Sequence, residues 1–218
     1  MSRLYGDNHR SLQEQFDSRR LADAIEKVAM ETEVVGPHKD FIESRDMFFL
    51  STVDHKGRPT VSYKGGDPGF VKVVDDNTVV FPSYDGNGMF LSMGNIRGNR
   101  NIGMLFISFE VPHRLRLQGE ATLHDDDPAM DWYKEADLIV RVQVSEIFVN
   151  CPRYVHKYQK VDPSKYVPRT ECATPLAGWK HIDMIQEVLP ARDHGRAEKE
   201  GGIITQEEWY GKVAHGDG

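Results

Sequence analysis

Between Met47 and Val149 the apolar residues recur at close to every second position, in short runs cut by turn residues. That period limits the fold more than any other feature of the chain, because alternation at two residues belongs to strands and not to helices. Met47-Phe-Phe-Leu-Ser-Thr-Val53 is an apolar run ending in β-branched residues, Asp54-His-Lys-Gly57 is a turn, and residues 59–64 return. Gly65-Gly-Asp-Pro-Gly69 interrupts the second strand, since no regular strand passes through that composition. Residues 70–74 and 78–81 form a further hairpin around Asp75-Asp76-Asn77. Residues 102–109 are apolar on both faces and so read as a central strand, residues 114–118 alternate up to Gly119, and residues 120–123 continue that strand. Residues 138–149 are the last long strand.

Helical periodicity lies outside and between these runs. Residues 11–31 read as one amphipathic helix with Leu12, Phe16, Ala24, Ile25 and Val28 close to one face, broken by Gly36-Pro37. A short helix follows over residues 39–45, with Phe41 and Ile42 inward. Asp127-Pro128 starts another that runs to Ala136, with aspartate as cap and proline at the first helical position. In the last sixty-odd residues, 174–189 hold a helix, and Thr205-Gln-Glu-Glu208 is a capping box before Trp209. The expectation is a mainly β chain with α additions (α+β). Its parts are a helical arm over residues 1–40, a barrel over 41–150 and an extension over 151–218 that packs on the barrel, all within a single domain.

One stretch joins a strand to a helix in a way that invites a ligand. Residues 78–81 end a buried strand, and Ser83-Tyr84-Asp85-Gly86-Asn87-Gly88 reads as a turn. A helix follows that offers Phe90, Leu91 and Met93 to the core. A helix start leaves several backbone N–H groups without intrahelical partners. With the Ser83 and Asn87 side chains beside them, those donors read either as a phosphate cradle or as an ordinary strand–turn–helix connection.

Composition narrows the function classes. The chain of 218 residues has a net charge of −7 with its acidic residues scattered, so it has no basic patch for nucleic acid or an anionic membrane. No apolar run is long enough to cross a bilayer and the start has no apolar signal core, so a cytoplasmic setting is expected. Cys151 and Cys172 are too few for a disulfide framework, and none of the nine histidines falls in a metal-binding spacing, so no metal site is expected.

Four blocks in order carry a family likeness: residues 48–59 (Phe-Phe-Leu-Ser-Thr-Val-Asp-X-X-Gly-X-Pro), 81–87 (Phe-Pro-Ser-Tyr-Asp-Gly-Asn), 95–106 (Asn-Ile…Asn-Arg-Asn-Ile-Gly-Met-Leu-Phe) and 114–121 (Arg-Leu-Arg-Leu-Gln-Gly-Glu-Ala). Together they resemble the pyridoxamine 5′-phosphate oxidase-like, FMN-binding split-barrel family. The resemblance implies a six-stranded Greek-key split barrel and a homodimer with FMN at the interface between subunits. The strand over residues 102–109 and the alternating residues 114–118 agree with a dimer, since they leave more apolar strand surface than one small barrel encloses.

Carried over position by position, the resemblance implies FMN contacts at Ser62, Tyr63 and Lys64 and at Ser83, Tyr84, Asn87 and Gly88. The basic residue at the phosphate is Lys64 or, if residues 65–69 shift the register, Lys72. In Cys151-Pro-Arg-Tyr-Val-His156, either Arg153 or His156 reaches the FMN or substrate of the partner subunit or the segment only anchors the tail, and residues 153–179 are expected to cover the flavin site. Two departures point away from vitamin B6 oxidation. Asn87-Gly88-Met89 stands where the true oxidases have Ser-Arg-Lys, and nothing after Trp179 matches their C-terminal Trp…Arg-Leu-His-Asp-Arg block. The likeness is nearer to a branch with Lys-Gly-Gly after the second strand and Cys-Pro-Arg-Tyr-X-His after the last. The expected function is an FMN-dependent oxidoreductase acting on a small molecule, with NADH or NADPH as a candidate electron donor. Its rivals are a flavin binder without turnover and a split barrel carrying deazaflavin or haem. No catalytic acid–base pair is visible.

Overall fold

The computed structural model describes residues 2–216. Contacts divide the chain into two units, one ending at Val161 and the other beginning at Asp162. The first contains α1 (Asp7–Gln15), α2 (Arg19–Ala29), β1 (Met30–Glu31), α3 (Pro37–Glu43), β2 (Met47–Val53), β3 (Pro59–Gly65), β4 (Lys72–Asp75), β5 (Thr78–Tyr84), α4 (Leu91–Gly98), β6 (Asn101–Ser108), β7 (His113–His124) and β8 (Ala136–Asn150). The strands make one sheet in the order β3-β2-β6-β7-β8-β5-β4, with β1 added to β8. Every pair is antiparallel. The result is the α+β fold with a curled sheet that the split-barrel resemblance implies, with β4 and the two-residue β1 bringing the sheet to eight strands.

Strand β2 shows why these residues take this form. Phe48, Leu50 and Thr52 are buried while their neighbours are half-exposed, the pattern of a strand with one face on a core. Its turn is fixed by Asp54, whose carboxylate accepts from Lys56 N at 2.8 Å and Arg58 N at 2.9 Å, and by Gly57 at φ +76°. The Phe48 ring lies 5.0 Å from that of Phe81 on β5 and 5.3 Å from that of Phe106 on β6, centroid to centroid. Strands β2 and β5 are far apart along the sheet order, so these contacts across the interior show that the sheet curls back on itself. Strands β7 and β8 bend where the register shifts between Gln118 and Gly119. A Cβ on Gly119 would lie 2.2 Å from Gln143 O, so only glycine fits there.

Several expected helices differ. Residues 11–31 are not one helix: the backbone turns left-handed at Asp17, φ +49°, and Met30–Glu31 leave the helix to pair with β8. Arg10 and Asp23 tie α1 to α2 at 2.7 Å. Ser83 and Tyr84 belong to β5 and not to a turn, because both still pair with β8. Phe90 and Leu91 are about half exposed and outside the core, which takes Met93 and Ile96 from the next turn of α4. The element after Asp127 is a 3₁₀ helix, Pro128–Trp132, shorter than expected, although Asp127 caps it as read, accepting from Ala129 N at 2.8 Å.

In the second unit residues 174–189 form two 3₁₀ helices, Gly178–His181 and Asp183–Val188, and no α-helix. Ile182 between them is extended and bridges to Ile204, where Ile204 N donates to His181 O at 2.9 Å and Asp183 N to Ile204 O at 2.8 Å. Those bonds take backbone groups that an α-helix would use. A buried ion pair, Lys180 Nζ to Asp193 Oδ2 at 2.7 Å, lies inside this unit, which continues through α5 (Arg196–Lys199) to α6 (Gln206–Ala214). The capping box at Thr205 and Glu208 starts α6 as expected, with Glu208 N donating to Thr205 Oγ1 at 3.2 Å and Thr205 N to Glu208 Oε2 at 2.7 Å. Among the described residues no helix is long and apolar enough to cross a membrane.

Candidate functional site

Helix α4 lies against the inner faces of β2 and β3 through polar side chains. Asn95 is buried, and its Nδ2 donates to Thr52 Oγ1 at 3.0 Å and to Thr60 Oγ1 at 3.2 Å. The two threonine hydroxyls are 2.7 Å apart. Nearer the start of the helix, Ser92 Oγ meets Ser62 Oγ at 3.0 Å. Positions 60, 62 and 64 of β3 share one face, and the strand runs opposite to the helix, so Lys64 is the next inward position toward the start of α4.

That start leaves backbone donors open. No side chain caps α4, and Phe90 ahead of it is left-handed at φ +48°. Gly94 N takes the first intrahelical bond, to Phe90 O at 2.7 Å, which leaves the N–H groups of Leu91, Ser92 and Met93 without a protein acceptor among the described residues. Lys64 is half-buried and has no hydrogen bond or ion pair among the described residues, and burial alone pushes its ammonium below the ordinary lysine value. A desolvated cation without a counter-ion beside unpaired N–H groups suits a phosphate.

The other expected residues divide. Asn87 Oδ1 accepts from Met89 N at 3.1 Å, so its carbonyl shapes the loop into α4, while Gly88 at φ +74° lets the loop turn. Ser83 and Tyr84 end β5 at the other side of that loop and are half-buried. Burial, with Asp67 adding its negative charge, pushes the Tyr84 phenol up to about 12. Tyr63 points to the opposite face of β3 from Ser62 and Lys64, is largely exposed, and meets the Phe49 ring edge-on at 6.2 Å. Lys72 lies opposite Val80 on β4, without a hydrogen bond or ion pair among the described residues. Arg153 is exposed, its guanidinium 5.9 Å from the Tyr154 ring. The segment after it runs back along the first unit, with Tyr158 N donating to Phe109 O at 3.2 Å and Lys160 paired with Asp46 at 2.6 Å. Both cysteines are exposed and neither is in a disulfide, and no group of metal-ligating side chains forms among the described residues.

Two residues escaped the sequence reading. Ser92 gave no signal, because its partner comes from a strand thirty residues earlier. Tyr133 packs in a small cluster with Val80, Ile139 and Tyr84, and its buried hydroxyl has no partner among the described residues. Burial raises its pKa strongly, with Tyr84 and Glu43 adding to the effect.

Comparison with known proteins gives one strong match. A family model described as pyridoxamine 5′-phosphate oxidase matches residues 36–162, more than half of the chain. A search of curated proteins found no match. Among solved structures, HupZ of Group A Streptococcus is 20% identical with a TM-score of 0.42, covering 56% of this chain and 95% of its own. An FMN-binding protein of Syntrophomonas wolfei is 10% identical with a TM-score of 0.42, covering 64% and 95%. HutZ, a haem storage protein of Vibrio cholerae, is 20% identical with a TM-score of 0.37, covering 51% and 90%.

Proposed function

Because the chain belongs to the pyridoxamine 5′-phosphate oxidase family, we propose that it is a cytoplasmic FMN-binding flavoprotein, a homodimer, that works as an oxidoreductase on a small molecule. The observation that carries this reading is Lys64: half-buried, lowered by desolvation, without a counter-ion among the described residues, and one strand step from the Ser62–Ser92 contact at the start of α4. An FMN phosphate is a dianion that needs backbone N–H groups, hydroxyls and a cation, and these residues offer all three. In this reading Ser62, Lys64, Ser92 and the N–H groups of Leu91, Ser92 and Met93 hold the phosphate. Ser83, Tyr84 and Asn87 line the approach, and Gly88 lets the backbone come close. Lys72 is not needed, because Lys64 shares its face of β3 with Ser62. Flavin supplies hydride or electron transfer when bound, and the protein supplies binding, orientation and electrostatics.

Vitamin B6 is not the proposed substrate. Asn87-Gly88-Met89 stands where the true oxidases have Ser-Arg-Lys, and nothing after Trp179 matches the C-terminal block with which they grip the substrate phosphate. The test is the spectrum and mass of the small molecule that co-purifies, followed by titration of the stripped protein with FMN. Flavin absorbance, the mass of FMN and reoxidation after NADH or NADPH addition support the proposal. A haem spectrum, a deazaflavin mass, or bound FMN that is never reduced by either nucleotide or by any added substrate overturns it in part or in whole.

A further inference from the structure

We propose that a second pocket, at the opposite end of α4, binds a small phosphate monoester. It has a volume of about 240 Å³ and is lined by Ile96 and Arg97 from the last turn of the helix, Arg100 from the turn into β6, and Ala121, Thr122, Leu123 and His124 from β7. It lies roughly 10 Å along the helix axis from the Lys64 end, at 1.5 Å per residue, so one phosphate cannot serve both places.

The charges decide what it takes. Arg97 and Arg100 are exposed, and neither guanidinium has a hydrogen bond or ion pair among the described residues. In a chain with seven more acidic than basic residues, a pocket lined by two arginines and no carboxylate is unexpected. Arg97 alone would be explained by the carbonyl end of α4, which favours a cation in its last turn. Arg100 lies beyond the helix, its backbone carbonyl accepts from Ala121 N at 2.8 Å, and it lines the same pocket. The carboxylate best placed to fill the pocket is already used. Asp127 is held by Arg141 at 2.6 and 2.8 Å and by Ala129 N at 2.8 Å, and it is not part of the lining. Asp125 and Asp126, which follow His124 in the chain, do not line the pocket either.

The remaining walls set the rest of the ligand. Thr122 Oγ1 is 2.8 Å from His124 Nε2, which holds the imidazole at the rim as a further polar contact. Ile96 and Ala121 are buried and, with Leu123, give an apolar back wall. Two guanidinium forks match the oxygens of a phosphate dianion, and the apolar wall accepts a small organic body joined to it. The carbonyl end of α4 opposes any anion here, so a monovalent ion gains little, whereas a dianion bridging both arginines outweighs the helix.

The test uses the full chain saturated with FMN, so that the Lys64 end is occupied, and phenyl phosphate as the probe. Calorimetry and arginine side-chain NMR follow the titration. Saturable binding is expected, weakened at least about tenfold in Arg97→Gln/Arg100→Gln and by added salt. Both arginines are exposed, so the double variant keeps its core, and circular dichroism checks that it does. Binding that survives the double variant, or no saturable binding at millimolar phenyl phosphate, overturns the assignment.

Discussion

A lysine held half out of water with no acid beside it costs the folded chain free energy, and the cost stays until an anion arrives. Lys64 is in that position, so stability and binding should respond to it in opposite directions. Lys64→Met removes the charge while keeping the length of the side chain. The variant is expected to melt at a higher temperature than the parent without cofactor, yet to bind FMN about 10–100-fold more weakly, the range for a hydrogen bond to a charged group. Calorimetry of the stripped protein and a fluorescence titration read the two effects; a variant that loses affinity and stability together would mean that Lys64 is structural. Two carboxylates behave in the reverse way. Asp54 is lowered to about 2, chiefly by the side-chain hydrogen bond from Arg58, and Asp127 to about 2, chiefly by that from Arg141, against an ordinary value of 3.8. A carboxyl whose folded value lies below its unfolded value adds stability above the unfolded value and loses it as pH falls through the folded one. The contribution of these two carboxyls to equilibrium unfolding should therefore be flat above about pH 5 and fall between about pH 4 and 2. Asp127→Ala removes the Arg141 contacts and the 3₁₀ cap together, and should cost about 1.5–3 kcal/mol at neutral pH with a shallower acid limb.

At the scale of elements, α4 is the part on which the candidate site depends. Its grip on the barrel is polar: Asn95 on Thr52 and Thr60, then Ser92 on Ser62. Asn95→Ala leaves the two threonines bonded to each other at 2.7 Å but unties the helix from β2 and β3. The expected cost is about 1–3 kcal/mol in denaturant unfolding, with weaker FMN binding because the start of the helix loses its position. A barrel whose FMN affinity is unmoved by Asn95→Ala would separate the helix from the site. The strands were legible in the sequence, because alternation over seven or more residues has one stable outcome once one face is buried, as in β2. The cradle was legible in part. Lys64 and Ser62 came from the resemblance, while Ser92 and Tyr133 were invisible because their neighbours arrive from distant segments. Helices failed where tertiary bonds competed for the backbone. Met30 and Glu31 went to β8, and Ile182 went to Ile204, although the local pattern favoured a helix in both places.

The whole molecule presents an outer sheet face that one chain does not use. Phe49 and Val53 of β2, Val61 of β3 and Leu105 of β6 line a shallow hollow of about 420 Å³, with Arg116 and Gln118 of β7 at its side. Val61 is 69% exposed and neighbouring Tyr63 62% exposed, a cost in water that a second copy would remove. The family resemblance implies a dimer with the flavin at the subunit interface, and we assign this face to it. Light scattering at micromolar concentration should then give about twice the 24.8 kDa of the chain. Val61→Asp is the informative variant, since a side chain this exposed touches nothing in the core and the barrel should fold unchanged. Burying its carboxylate against a second copy would cost the dimer most of its stability. The expected outcome is a folded monomer with weakened FMN binding, because the resemblance implies a flavin at the subunit interface. A native chain of 24.8 kDa would exclude the dimer. A Val61→Asp chain that stays dimeric would move the interface elsewhere, and the exposed Leu21, Ile25 and Val28 of α2 would be the next face to test.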